Sequence, residues 1–182
     1  MNPKTWNIDA THSGIHFSIR HMVISKVRGR FGKYEANLRI DDDDLAKSSV
    51  DVTIDAASID TGVGQRDDHL RSPDFFDAAR FPSLGYRSRS VQHVGEDRYR
   101  VVGDLTIRDV TREVVFDVEH GGHAKDPWGN DRVGFVGRTS LDRKDFGLTW
   151  NKALEAGGVL VGDRVDVEIE IEAVRAAAHQ AA

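Results

Sequence analysis

His12, His16, His21, Asp67 and His69 are the side chains whose types could hold a metal ion or exchange a proton, because the chain has no cysteine and imidazole and carboxylate are the ligands that remain. Their spacing does not select that chemistry. None falls in the helical His-Glu-x-x-His arrangement, and on a regular strand His16 faces away from Ile15 and Phe17, toward solvent. Buried or clustered polar side chains more often serve hydrogen-bonded structure than catalysis. On that reading His12 and Asp9 make a turn or cap contact, and Asp67 and His69 tie one segment of the chain to the rest. The other patterns that attract notice are weaker. In His120-Gly121-Gly122-His123 the glycines suit a hairpin turn better than a ligand pair, and Asp41 to Asp44 lack the glycine and terminal glutamate of a calcium loop. No serine occupies a Gly-x-Ser-x-Gly elbow. Gly62-Val63-Gly64 is too short for a dinucleotide fingerprint. No catalytic residue, metal site or cofactor is expected.

What positions these residues is mostly strand. Val165, Val167, Ile169 and Ile171 alternate with Asp166, Glu168, Glu170 and Glu172, the period-two pattern of a strand with one dry face, and Val50, Val52 and Ile54 alternate in the same way. Trp6, Ile8, Ile15, Phe17 and Ile19 give a broken version. Further strands are predicted at Tyr34 to Ile40, Leu84 to Val94, Tyr99 to Ile107, Val114 to His120 and Val133 to Leu141. Turn residues separate them, at Gly95-Glu96-Asp97, Gly121-Gly122 and Asp126 to Gly129, so neighbours should be antiparallel. About eight such strands must close into a barrel or stack as a sandwich, since open edges invite aggregation. Alternation alone does not choose between the two.

One stretch breaks the pattern. From Ser58 to Pro82 the chain gathers Asp60, Arg66, Asp67, Asp68, His69 and Arg71, then Phe75, Phe76 and Phe81, a polar cluster joined to an aromatic one that suits an amphiphilic ligand. Gln65 to Arg71 can form roughly two helical turns, and Ser72-Pro73 reads as an N-cap and first helical position of a second short turn through Phe76. Neither would be stable alone, so both must dock on the sheet, with Leu70, Phe75 and Phe76 as anchors.

With 182 residues, no linker and no internal repeat, the chain reads as one domain over residues 1–175. The C-terminal AVRAAAHQAA has no amphipathic stripe and reads as frayed, with residues 176–182 as a flexible tail. The net charge of −5 argues against nucleic acid. No apolar run approaches the roughly 20 residues of a membrane-spanning helix, so no stable membrane insertion is expected. Absence of a leader pattern and of cysteine makes the cytoplasm the simplest location. A homodimer is compatible with the sequence, which does not decide oligomeric state.

SIDTG (58–62), RDDHL (66–70) and FFDAARFP (75–82), taken with WNIDATHSGIHFSIRH (6–21), GDLTIRDVTREV (103–114), RKDFGLTW (143–150) and GGVLVGDRVDVEIEIE (157–172), resemble the bacterial YceI-like family in order and over nearly the whole chain. The resemblance implies an all-β fold, an extended, eight-stranded antiparallel, lipocalin-like barrel with a short helical insertion, holding a polyisoprenoid or similar long-chain amphiphilic lipid. It places the ligand-binding wall at Trp6, Ile15, Phe17, His21, Phe31 and Phe135, with Asp67, His69, Phe75 and Phe76 at the insertion that covers it. Small inward residues such as Ala36 and Gly137 would leave space for the ligand. Where the family pattern often has glycine after LTIR this chain has Asp109, which can also occupy a tight turn of positive φ. The implied function is non-catalytic lipid binding, storage or transport. The alternatives are an enzyme acting on a lipid-like or quinone-like substrate through His12, His21, Asp67 and His69, and a stress-related interaction module.

Overall fold

The computed structural model describes residues 4–176. Eleven strands run in chain order: β1 (Lys4–Ile8), β2 (Gly14–His21), β3 (Ser25–Phe31), β4 (Tyr34–Ile40), β5 (Ser49–Asp55), β6 (Ile59–Asp60), β7 (Ser83–Gly95), β8 (Arg98–Ile107), β9 (Val110–Lys125), β10 (Asp131–Asp142) and β11 (Val161–Arg175). The one α-helix among the described residues, α1 (Gly64–Arg71), lies between β6 and β7. All pairings are antiparallel, and the sheet closes because β11 pairs with β2 through Val161 to Glu170 and with β1 through Ala173 to Arg175.

The eleven strands make eight staves. β1 and β2 lie end to end along β11, interrupted at Asp9 to Ser13; β3 and β4 lie end to end along them, interrupted at Gly32 and Lys33; β5 and β6 form a third broken stave, interrupted by a 3-10 turn at Ala56–Ser58. With β7 to β11 unbroken, the ring is an eight-stranded antiparallel barrel. The expected alternation and the eight-stave closure follow from the same physics: each strand has one apolar face, and closure removes the unpaired edges.

The barrel has two unlike ends. At one lie the Asp41 to Ser48 loop, the β7–β8 turn and the Asp126 to Asn130 turn. At the other lie the Met22 to Ile24 hairpin tip, the insertion from Thr61 to Pro82, the β8–β9 turn and the long connection from Arg143 to Leu160. Trp6, Ile40, Val133 and Ala173, none more than 2% exposed, pack the first end shut. A larger cluster including Phe31, Ile59, Phe75, Tyr86 and Phe146 packs toward the second.

Five details depart from the sequence reading. The second turn forms, with the Ser72 hydroxyl accepting from the Asp74 N–H (3.3 Å) and the Ser72 carbonyl from the Phe75 N–H (3.0 Å), but it is a single turn and not α-helix. Ser72 already ends α1, its N–H bonded to the His69 carbonyl, and Phe76 and Ala78 donate back to Leu70 and Arg71, so the chain reverses instead of starting a helix. Gly121-Gly122 is not a hairpin turn. β9 runs through it, and the glycines form a bulge opposite Gly134 and Phe135, where Gly121 sits against the Gly134 backbone and Gly122 takes φ 96°. The positive φ of the β8–β9 turn falls on Arg108 (57°), whose guanidinium stacks over Phe81, and not on Asp109. Ala173 to Arg175 are not frayed but complete β11 against β1, whereas the expected tail from residue 177 onward lies outside the described residues. Single 3-10 turns at Leu45–Lys47 and Arg143–Phe146 lie outside the insertion, where no helical turn was expected.

Candidate functional site

The inward faces of the staves do not meet. They enclose a cavity of about 690 Å³ that runs from Ile40 and Leu45 near the packed end to His69, Leu70 and Trp150 beneath the insertion. Val165, Val167, Ile169 and Ile171 all face it, and they are only partly buried because the space in front of them is unfilled. Its wall is almost wholly apolar.

Small residues set its shape. Ala36 and Gly137 line it, and Gly137 lies against Phe116 and Val118. Gly29 on β3 leaves room for the Phe17 ring, since a Cβ there would run into it. Gly103 does the same for Tyr86: a Cβ would come within 2.6 Å of the ring, whose hydroxyl donates to the carbonyls of Val101 (3.2 Å) and Val114 (3.4 Å). Burial pushes the Tyr86 phenol up to about 12 and also raises that of Tyr34, whose hydroxyl lines the cavity without a hydrogen-bond partner.

The insertion is tied down by polar groups. Asp67, 6% exposed, accepts from the N–H (2.9 Å) and hydroxyl (2.5 Å) of Thr61, and Arg66 donates to the same hydroxyl (2.7 Å) and to the Thr61 carbonyl (2.9 Å). Arg71 reaches the carbonyls of Ala57 and Ile59. α1 has no apolar stripe sufficient to hold it, so these bonds fasten it to the β5–β6 stave. His69 bonds Asp74 (2.8 Å) and stands edge-on to Trp150 and Phe75 at 4.6 and 5.1 Å between ring centroids. Below it Arg143, 5% exposed, spends its donors on the carbonyls of Leu148, Trp150 and Gly162, which shapes the long connection into a floor for the insertion. Burial pushes the Arg143 guanidinium down from its usual range.

Of the residues singled out from sequence, Ile15, Phe17, His21, Phe31, His69, Phe75, Phe76 and Phe135 line the cavity. Trp6 sits in the packed end, and Asp67 lies behind the wall in the Thr61 network. His16 is exposed. His12 lies just before β2 and His21 ends it, so the length of that strand, about 23 Å at the rise of a strand, separates them, and His12, His21, Asp67 and His69 are not brought together. His12 bonds Asp9 (3.0 Å), as a turn contact. Asp9, His12 and Glu172 do converge within reach of a single ion, yet Arg132 already lies there, donating to Asp9 (2.8 Å), Glu172 (2.6 Å) and Asp126 (3.0 Å). The guanidinium supplies the cation. It helps hold Asp126 at about 2, after the larger effect of Asn130, and joins Thr11 and His12 in holding Asp9 well below the usual carboxylate range.

Tyr34, Leu148 and Arg143 were not singled out as site residues. Tyr34 is in phase with Ala36 on β4 and could have been found by counting from it. Leu148 and Arg143 lie in irregular chain, where no period marks which side chain turns inward.

The fold and site define a closed antiparallel barrel around an elongated apolar cavity with a fastened flap. A profile of the YceI-like domain matches residues 6–173, and the chain belongs to the YceI-like family. A UPF0312 protein of Staphylococcus epidermidis is 38% identical over 168 residues, covering 92% of this chain and 95% of that protein. A YceI protein of Campylobacter jejuni superposes with a TM-score of 0.76 at 31% identity, over 87% of this chain and 90% of the other. A polyisoprenoid binding domain from Saccharophagus degradans shares the fold, with a TM-score of 0.68 at 16% identity over 95% of this chain and 99% of that one. No helix among the described residues is long and apolar enough to cross a membrane.

Proposed function

We propose that this protein is a non-catalytic carrier that binds, stores or transports a polyisoprenoid or similar amphiphilic lipid along the barrel axis. The observation that carries the reading is the cavity, an apolar tunnel walled by all the staves and left unfilled by side chains that could have closed it. Burying each CH₂ of a chain there is favourable by roughly 0.8 kcal/mol, so a few isoprene units offset the cost of ordering them. The packed end takes the chain terminus. The flap end, where His21, Gln65, Arg66 and His69 reach the wall, takes the head group. The Saccharophagus domain's description as polyisoprenoid-binding supports the ligand class, and the polar side chains of the insertion support a carrier over an enzyme because most of them are engaged in holding the flap.

Native mass spectrometry of the purified protein, before and after organic extraction, tests this. A discrete adduct of lipid mass, lost on extraction and restored by added polyprenol, is expected. Protein that shows no adduct and takes up neither polyprenol nor a fatty amide would exclude the carrier.

A further inference from the structure

The β2–β3 hairpin ends in Met22, Val23 and Ile24, which are 41%, 68% and 84% exposed. Three consecutive large apolar side chains at a hairpin tip need a reason. The backbone sharpens the question: Met22 and Val23 take φ of 52° and 66°, the left-handed conformation for which hairpin turns use Asn-Gly, and which a β-branched residue resists. The tip therefore keeps apolar side chains where local preference asks for Asn and Gly, and conflicts of this kind are expected where a segment serves something other than the fold.

Further exposed apolar residues lie at the same end. Met22 N–H donates to the Leu160 carbonyl (2.9 Å), which sets Val159, 43% exposed, beside the tip. On the other side Thr61 packs against Gly29 of β3, and Val63, two residues further along, is 47% exposed. The cavity wall reaches these residues: His21, Val27, Val63, Leu160 and Val161 all line it.

Charge separates this hairpin from the rest of the chain. The protein carries a net charge of −5, yet between Asp9 and Glu35 there is no carboxylate side chain and there are five cations, Arg20, Lys26, Arg28, Arg30 and Lys33. Lys26 is 3.8 Å from Asp166, and Arg30 and Lys33 pair with Asp60 and Asp55. Arg20 and Arg28 have no carboxylate partner among the described residues; Arg20 reaches only the Val23 carbonyl, and Arg28 is exposed. At the start of β11, beside the neighbouring connection, the acids are engaged, Asp163 with Lys144 and Arg143, and Asp166 with Arg164 and Ser140.

We infer that this tip is a reversible contact for an anionic lipid surface. A narrow apolar wedge flanked by unpaired cations matches the interface of an anionic bilayer, where the side chains enter the acyl boundary and the guanidinium groups meet the phosphates. It fits a second protein copy poorly, since a stable dimer buries about 800 Å² per partner and three tip residues offer far less. The contact rests on the carrier reading for its use, as it brings the cavity mouth to the bilayer from which lipid is drawn, but it is measured without any cargo.

The experiment is co-sedimentation of the full protein with vesicles of equimolar phosphatidylcholine and phosphatidylglycerol, and with phosphatidylcholine alone. Preferential binding to the anionic vesicles, weakened by salt, is expected. Met22→Asn with Val23→Gly gives the turn the residues its backbone favours, so the variant should fold at least as well as the parent, retain polyprenol uptake and lose about tenfold in vesicle partitioning as apolar contact is removed. Arg28→Glu should lose about fivefold or more on anionic vesicles and little on neutral ones. Equal sedimentation of the Asn-Gly variant and the parent, or no sedimentation of the parent, overturns the inference even if the cavity takes up lipid. A concentration-dependent dimer that the Asn-Gly variant abolishes, with vesicle binding absent, assigns the tip to self-association instead.

Discussion

The two ends of the barrel are closed by different physics. At the end where β1 and β11 meet, Trp6, Ile40, Val133 and Ala173 exclude water by packing alone, and the Arg132 clamp pins the break between β1 and β2 from outside. At the other, an eight-residue helix is fastened by the hydrogen bonds that Thr61 donates to Asp67 and that Arg66 and Arg71 donate to Thr61, Ala57 and Ile59, over a cavity that no side chain fills. Packing of the first kind yields only when the fold yields, whereas hydrogen bonds can be exchanged for water one at a time. The difference makes one end a fixed stop and the other the place where entry is cheapest.

Substitution at the packed end should therefore cost stability and leave binding kinetics alone. Trp6→Ala removes a fully buried indole and is expected to destabilise the protein by about 3–5 kcal/mol, measured by urea unfolding. If the cost falls below about 1 kcal/mol, that end is not the sealed stop described here. On the cavity wall, Phe17→Asp and Phe135→Asp place an unpaired carboxylate in an apolar surface, costly to desolvate. Each is expected to abolish lipid retention in protein shown by circular dichroism to be folded; a folded variant that extracts as much lipid as the parent would remove these rings from the site. At the flap, Asp67→Asn weakens the Thr61 contacts and should cost about 1–2 kcal/mol. The loss should be local, appearing as faster amide exchange in residues 61–71 and faster lipid exchange. Uniform loss of protection across the barrel would show that the flap and the staves unfold as one unit.

The smallest effects expected are those of pH. Burial lowers the pKa of His120, near the packed end, so the unfolded chain takes up a proton first as pH falls through about 6.5, and stability drops with it. His12, raised by its hydrogen bond to Asp9, has the opposite sign: its contribution is present below about 6.5 and is lost as pH rises through the raised value. Thermal melts between pH 5 and 8 should show His120→Leu flattening the acid-side decline and His12→Ala steepening it. Identical slopes in parent and both variants would refute the assignment.

Much of this was readable beforehand, for particular reasons. Val165 to Glu172 alternates because each inward residue faces one continuous cavity and each outward one faces water, so face and period survive into sequence. The insertion was readable as the place where alternation stops. The breaks in the second and third staves were not: the inward phase changes from Val27 and Phe31 to Tyr34, Ala36 and Leu38 across Gly32-Lys33, and from Val52 and Ile54 to Ile59 across Ala56 to Ser58, but a change of phase does not say that the two runs continue one stave. The Gly121 bulge was misread as a turn because a glycine pair suits both, and only the partner strand distinguishes them. Asp67 was singled out for its type, but its direction depends on Thr61, six residues away through a reversal that no period encodes.

The unfilled space behind Val165, Val167, Ile169 and Ile171 has one more consequence. A folded chain that keeps so much apolar surface exposed inside itself gives up stability that a filled core would have supplied, and any occupant of the native barrel returns it by mass action. At a hundredfold excess over Kd the gain is about 2.7 kcal/mol. The melting temperature thus doubles as a gauge of occupancy, and two preparations of identical sequence will melt apart by as much as their cargo differs.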